Sequence, residues 1–217
     1  MKNKILIIML CQYFMNCVST YAEKIKSFKE LKYLDINRQT TEFTCGIAVL
    51  STLFNYYSMP TTEEEITTEF FKRMVEEKRG ITFLDMKKYA VSKGFEVYGY
   101  KMNYSGLIKI INETSLPIIV HMKYNFAGQE VKHFSLLIGN IDEWLILDDT
   151  EVGKKIISKD KFLSLWTGYA MVIKPNSEDF LRNAHKKMEK RKTEAHLYVS
   201  KIFLYQNYPV IKNYFPF

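Results

Sequence analysis

Cysteine is scarce in this sequence, and so are long apolar runs. Cysteines occur at positions 11, 17 and 45 only, and the first two sit in an N-terminal stretch that reads as a targeting segment. Beyond that stretch no run approaches the ~18 apolar residues a membrane-spanning helix needs. There is no "GxxxxGK[ST]" loop, so nothing implies ATP binding, and no zinc-finger spacing, RNA-binding signature or recognition-helix pattern, so nucleic acid is not an expected partner. No internal repeat or low-complexity tract is present. The composition is instead that of one compact globular domain, 47% hydrophobic and 15% aromatic, long enough to fold without staples.

The opening residues, "MKNKILIIMLCQYFMNCVSTYAEK", have Lys2 and Lys4, an apolar run from Ile5, and small or polar residues ending at Ala22. That is a signal-peptide layout over 1–22, with cleavage expected between Ala22 and Glu23; the rival is an uncleaved anchor. Asn16 before Cys17 is a poor context for lipoprotein processing. Export follows as an expectation, to a periplasmic or extracellular location, with membrane association if the segment stays. Removing it leaves Cys45 alone. One thiol cannot form an intramolecular disulfide, and in an oxidising compartment it is either buried and inert or reactive by design.

The net charge is +7, about +5 without Lys2 and Lys4, and much of the excess lies in "HKKMEKRK", residues 185–192. The plain reading is a solvated helix face; the rivals are contact with anionic lipid headgroups, an exporter or another acidic partner.

Along the chain, "TCGIAVLSTLFNYY" has helical spacing, with Ile47, Leu50 and Phe54 on one face. "TTEEEITTEFFKRMVEEKRG" opens on a threonine cap and an acidic turn, and "TFLDMKKYAVSKGF" ends at Gly94. The period then changes. "FEVYGYKM", "PIIVHMKY", "HFSLLIG", "EWLILDD" and "YAMVIK" are short β-prone runs, with a short helix at "SKDKFLSLW". Helices first and strands afterwards predict an α+β domain with an antiparallel sheet over 23–175. Residues 176–217 read as a helical, basic and aromatic extension.

Cys45 stands where a polar run becomes an apolar helix, and unpaired N–H groups at a helix start favour an anion. Nucleophilic catalysis by a thiol also needs a base and a group to orient it. His185 and His196 fall in the charged extension, and His121 reads as a strand histidine. His133 opens a strand whose antiparallel neighbour ends at Asp148–Asp149, which brings an imidazole toward a carboxylate.

"RQTTEFTCGIAVLSTLFNYY", "HFSLLIGNIDEWLILDDTEVG" and "FLSLWTGYAMVI", in that order, resemble peptidase family C39, the double-glycine-leader cysteine peptidases of papain-like fold. The resemblance runs from about Gln39 to Lys174. Gln39 stands six before Cys45 in a Cys-Gly pair, His133 opens "HF", and Asp149 opens "DTEVG" where the family usually has a Pro after the Asp. It implies Cys45 as nucleophile, His133 as base, Asp149 as orienting carboxylate and the Gln39 amide as oxyanion donor. Gly46 would admit the substrate backbone. No cofactor and no metal is expected; the partner is a peptide or protein substrate, cut after a Gly-Gly-like site. The rivals are a peptide-binding module that does not cut, and a cell-wall amidase or acyl transferase.

Adjacent strand residues face opposite sides, so only one of Asp148 and Asp149 can face His133. A two-residue turn at Asn140–Ile141 sets Asp148 opposite His133, and a three-residue loop over 140–142 sets Asp149 there. The pattern leaves these level. The resemblance selects Asp149, four before Gly153.

Overall fold

The computed structural model describes residues 27–126 and 128–207. The chain divides into two units, 1–34 and 35–217. The expected signal segment lies outside the described residues. What is described of the first unit is one short helix, α1 (Phe28–Lys32), closed by a capping box between Ser27 and Glu30.

The second unit is a six-stranded antiparallel sheet with helices packed on it. Its central helix is α2 (Cys45–Tyr56), and every residue of α2 except Asn55 is buried. A helix apolar on all sides belongs in a core. Two of its buried hydroxyls bond main-chain carbonyls: Thr52 Oγ1 donates to the Ala48 carbonyl at 2.8 Å, and Ser51 donates to the Thr61 carbonyl. Capping boxes then start α3 (Glu63–Glu69) at Thr62 and α4 (Phe83–Ser92) at Thr82, each using two side chains for two otherwise orphaned N–H groups. A π-helical turn, Lys72–Glu76, lies between them.

The strands are β1 (Glu96–Lys101), β2 (Ile118–Phe126), β3 (Gln129–Ile141), β4 (Trp144–Asp149), β5 (Gly153–Ser158) and β6 (Trp166–Lys174). Their spatial order is β1-β6-β2-β3-β4-β5. The expected α+β antiparallel architecture is the one observed. Two elements had no reading in the sequence pattern: β5, and the helix α5 (Tyr104–Thr114), capped by Asn103. The short helix α6 (Lys159–Leu165) starts at Ser158 and leads directly into β6.

The hairpin between β3 and β4 corrects the expected turn. Ile141 pairs with Trp144, so the turn is Asp142–Glu143, with Asp142 in the left-handed region at φ 49°. A bulge between Leu137 and Gly139 then shifts the register, and Asp149 pairs with Ser135 rather than with His133.

The C-terminal helix α7 (Glu178–Asn207) packs on this core through Ala184, Met188, Arg191 and Ala195, all buried. The basic run 185–192 is therefore not a uniformly solvated face. Arg191 Nε donates to Asp148 Oδ1 at 2.8 Å, Glu194 meets Lys154 at 2.8 Å, and Lys187 donates to the Asn55 carbonyl. Among the described residues no helix is long and apolar enough to cross a membrane.

Candidate active site

The loop before α2 is fixed by its own hydroxyls. Thr44 Oγ1 accepts from the N–H groups of Thr40 and Thr41, each at 3.1 Å, and Thr40 Oγ1 donates to Glu63 at 2.8 Å. This sets Cys45 as the first residue of α2, where the backbone N–H has no acceptor within the helix. The thiol is free and buried.

His133 reaches it from β3. Nε2 of His133 stands 3.1 Å from Asp149 Oδ1, both side chains are almost fully buried, and the imidazole also hydrogen-bonds with Cys45. Nε2 lies off the line of ideal N–H donation to the carboxylate, an alignment that catalytic groups commonly acquire only when substrate is bound. Asp149 is diagonal to His133 across the hairpin: it pairs with Ser135, two residues along the same face of β3. Three further donors hold it. Ser135 Oγ donates to Oδ2 at 2.9 Å, and the N–H groups of Glu151 and Val152 donate to Oδ1 at 2.9 and 3.2 Å.

These contacts set the charges. Burial alone would push the Asp149 carboxyl up, but the imidazole beside it and the two backbone N–H groups hold it well below the usual carboxylate range. Burial alone would push His133 down; hydrogen bonding and charge from Asp149 and Cys45 outweigh it and hold the imidazole above the ordinary histidine range. The pair favours imidazolium beside carboxylate.

Gln39 is clamped to the same end of β4. Its N–H donates to the Thr150 carbonyl at 3.0 Å, and its side-chain Oε1 accepts from Thr150 Oγ1 at 2.9 Å. With Oε1 engaged, the amide N–H groups are the part left to face a substrate. Thr150, fully buried, holds Gln39 in place, a contact that sequence reasoning missed; nothing in its spacing distinguishes it from any turn threonine.

Gly46 packs against core side chains. A Cβ there would fall 2.6 Å from Ile81 and 2.8 Å from Met86 side-chain atoms. Its missing side chain makes room for that packing. Asp148 faces away from the site. It accepts from Tyr56 at 2.5 Å and from Arg191, so it ties α2, β4 and α7 together.

The cleft over Cys45 has a volume of about 670 Å³ and is walled by Phe43, Ile81, Phe83, Leu84 and Phe134, with His121 and Tyr169. His121 is half-buried, its ring tilted against those of Phe83 and Phe134, and pushed below its ordinary range by burial and then by nearby lysines. Thr167 gives its hydroxyl proton to the His121 carbonyl, so His121 Nδ1 donates to Thr167. His121 is thus a wall residue of the cleft. Among the described residues no cluster of His, Cys, Asp and Glu could hold a metal ion.

A thiol at the start of a buried helix, beside an imidazole and a carboxylate from two paired strands, places the molecule in the papain-like class of folds. The chain belongs to the peptidase C39 family, whose model matches residues 33–178. It is similar to the probable functional amyloid protease FapD of Pseudomonas fluorescens, at 26% identity over 155 residues, covering 70% of this chain and 65% of that protein. The FapD of Pseudomonas aeruginosa matches over the same shares, so the chain spans 65% of the length of both relatives. Among solved structures, the peptidase domain of Streptococcus ComA, a bifunctional ABC transporter involved in quorum sensing, matches with a TM-score of 0.54. That match is at 27% identity over 65% of this chain and 98% of the domain. A double glycine motif protease from an AMS/PCAT transporter, solved with its leader peptide, shares the fold. Its TM-score is 0.53 at 24% identity, over 65% of this chain and 91% of that one.

Proposed function

We propose that the protein is a cysteine endopeptidase that cuts a polypeptide through Cys45, His133 and Asp149, outside the cytosol. The observation that carries this reading is the contact of one buried imidazole with the only thiol of the second unit on one side and a well-held carboxylate on the other. The thiolate Sγ attacks the peptide carbonyl, and the Gln39 amide with the Cys45 N–H receives the developing oxyanion; one such donor typically contributes ~10²–10³ in rate. The C–N bond then breaks as the His133 imidazolium passes its proton to the leaving nitrogen. Water next attacks the thioester, His133 takes a proton from it, and the C–S bond breaks to restore the thiolate. Asp149 keeps the imidazole oriented and stabilises its charged form throughout.

The substrate site we favour follows a Gly-Gly-like pair, from the family resemblance. Likeness to FapD, named as a protease, favours a polypeptide over cell-wall or acyl-transfer chemistry. The location rests on the signal-like 1–22. Incubating the protein with peptides containing a Gly-Gly site and trapping the acyl group on Cys45 for mass spectrometry tests the chemistry and the substrate class, and the N-terminus of the protein recovered from outside the cytosol, expected near Glu23, tests the location. A peptidyl thioester on Cys45, absent in Cys45→Ala, is the expected result. A bound but uncut peptide, or a muropeptide or fatty acyl group on the thiol, would replace the reading with one of its rivals.

A further inference from the structure

A second lobe, more polar than the first though Val131 and Val152 also line it, adjoins the apolar one. It has a volume of about 440 Å³ and is lined by Gln39, Glu42, Tyr124, Lys132, Glu151 and Lys155, with His133 and Asp149 in its wall. The two lobes share Glu42, Val131 and Lys132, but Cys45 lines only the apolar lobe and the His133–Asp149 pair only the polar one. We propose that the polar lobe is the leaving-side subsite, which binds the residues following the scissile bond and selects polar ones. This rests on the peptidase reading above.

Bond breaking sets the direction. The acyl half stays on Cys45 Sγ as the thioester, so its chain runs along the lobe that has Cys45 in its wall. The leaving nitrogen takes its proton from His133, so its chain runs along the lobe that has the imidazole in its wall. A proton donor must lie within hydrogen-bond reach of the atom it protonates, and that requirement gives each half of the substrate one side.

The lining then decides what fits. Tyr124 turns a ring edge to His133, with centroids 5.9 Å apart, and carries the Lys155 ammonium 5.3 Å from its own centroid. Lys155 Nζ also lies 3.4 Å from the Tyr124 hydroxyl. The wall beside the imidazole is therefore a held cation on an aromatic floor, with Glu42, Glu151 and Lys132 around it. An apolar leaving residue would strip water from these groups and return no hydrogen bonds, which is costly. Serine or asparagine would replace the water's bonds. The apolar lobe, walled by Phe43, Ile81, Phe83 and Phe134, makes the opposite choice for the acyl half.

The experiment uses the full chain and a peptide set with one acyl half ending in Gly-Gly. The first two leaving residues are Ser-Asn in one set and Leu-Phe in the other, and a 4-nitroanilide provides a leaving group with no peptide chain. Wild type should cleave the Ser-Asn peptide with kcat/KM about tenfold above the Leu-Phe peptide, the scale of a modest pocket preference. Lys132→Leu with Lys155→Leu should collapse or reverse that ratio, and should change the peptides far more than the anilide. Phe83→Ala should lower all three substrates together. Equal cleavage of the two peptides, or a ranking that follows Phe83→Ala rather than the lysine variant, would overturn the assignment. Cleavage of none of the substrates would overturn the peptidase reading itself.

Discussion

Asp148 and Asp149 are one peptide bond apart, and the pleat sends them to opposite faces of the sheet. Asp149 meets His133, while Asp148 meets Tyr56 and Arg191. Their substitutions should therefore fail in different ways. Asp149→Asn should lower turnover by at least ~10²-fold with the fold intact, since an amide cannot hold the imidazolium. The raised His133 keeps its proton above the ~6.5 of an ordinary histidine, so the alkaline limb of kcat/KM in wild type should lie well above that value. Asp149→Asn should bring the limb down toward neutrality, which a pH–rate profile reads directly. Asp148→Asn should act on stability instead. It removes the charge opposite a buried guanidinium, and breaking a buried pair costs about 3–5 kcal/mol. Denaturant melts showing no loss for Asp148→Asn, or a turnover loss larger than that of Asp149→Asn, would reverse these roles.

At the scale of elements, the site depends on what holds the ends of α2 and β4. Thr150 follows Asp149 and clamps Gln39 through two bonds, so the Gln39 amide and the carboxylate share one anchor. Thr150→Val keeps the shape and removes the hydroxyl. It should lower kcat by about tenfold or more with little change in KM, because only a transition-state contact is loosened; a rise in KM alone would speak against the clamp. Gly46→Ala should destabilise the protein by roughly 1–3 kcal/mol, the usual cost of overpacking, since the added methyl meets Ile81 and Met86. Thermal melts of that variant check the packing role, and an unchanged melt would count against it.

Across the whole molecule, α7 runs beyond the family model, whose match ends at 178. The structure nevertheless makes it part of the core: it buries Met188 and Ala184 and supplies Arg191 to Asp148. Truncation after Pro175 should strip that carboxylate of its guanidinium partner and expose the apolar surface under α7, and the shortened chain should melt at a markedly lower temperature or fail to fold. A stable, fully active truncation would show α7 to be dispensable. Stability should also follow the charged pair. Asp149, lowered on folding, contributes above the ~3.9 of a free aspartate and loses that contribution as pH falls through its folded value. His133, raised on folding, contributes in full below ~6.5 and loses it as pH rises through its folded value. The melting-temperature difference between wild type and His133→Gln should be greatest from about pH 5 to 6 and shrink on the alkaline side.

Local rules were enough to read much of this protein from its residues alone. Thr62 and Gly94 mark helix ends by chemistry that acts over a few residues, and five of the six strands announce themselves by short β-prone runs. The order of Gln39, Cys45, His133 and Asp149 points to one kind of site because the family's spacing is specific as a set. The hairpin register did not follow, because a bulge at Leu137–Gly139 and a left-handed Asp142 are settled by packing of the whole sheet and leave no local signal. Thr150 and Arg191 were equally hidden: each matters through a partner 111 or 43 residues away. Sequence spacing can report neighbours within a helix turn or a strand, but contacts closed across such distances exist only once the chain is folded.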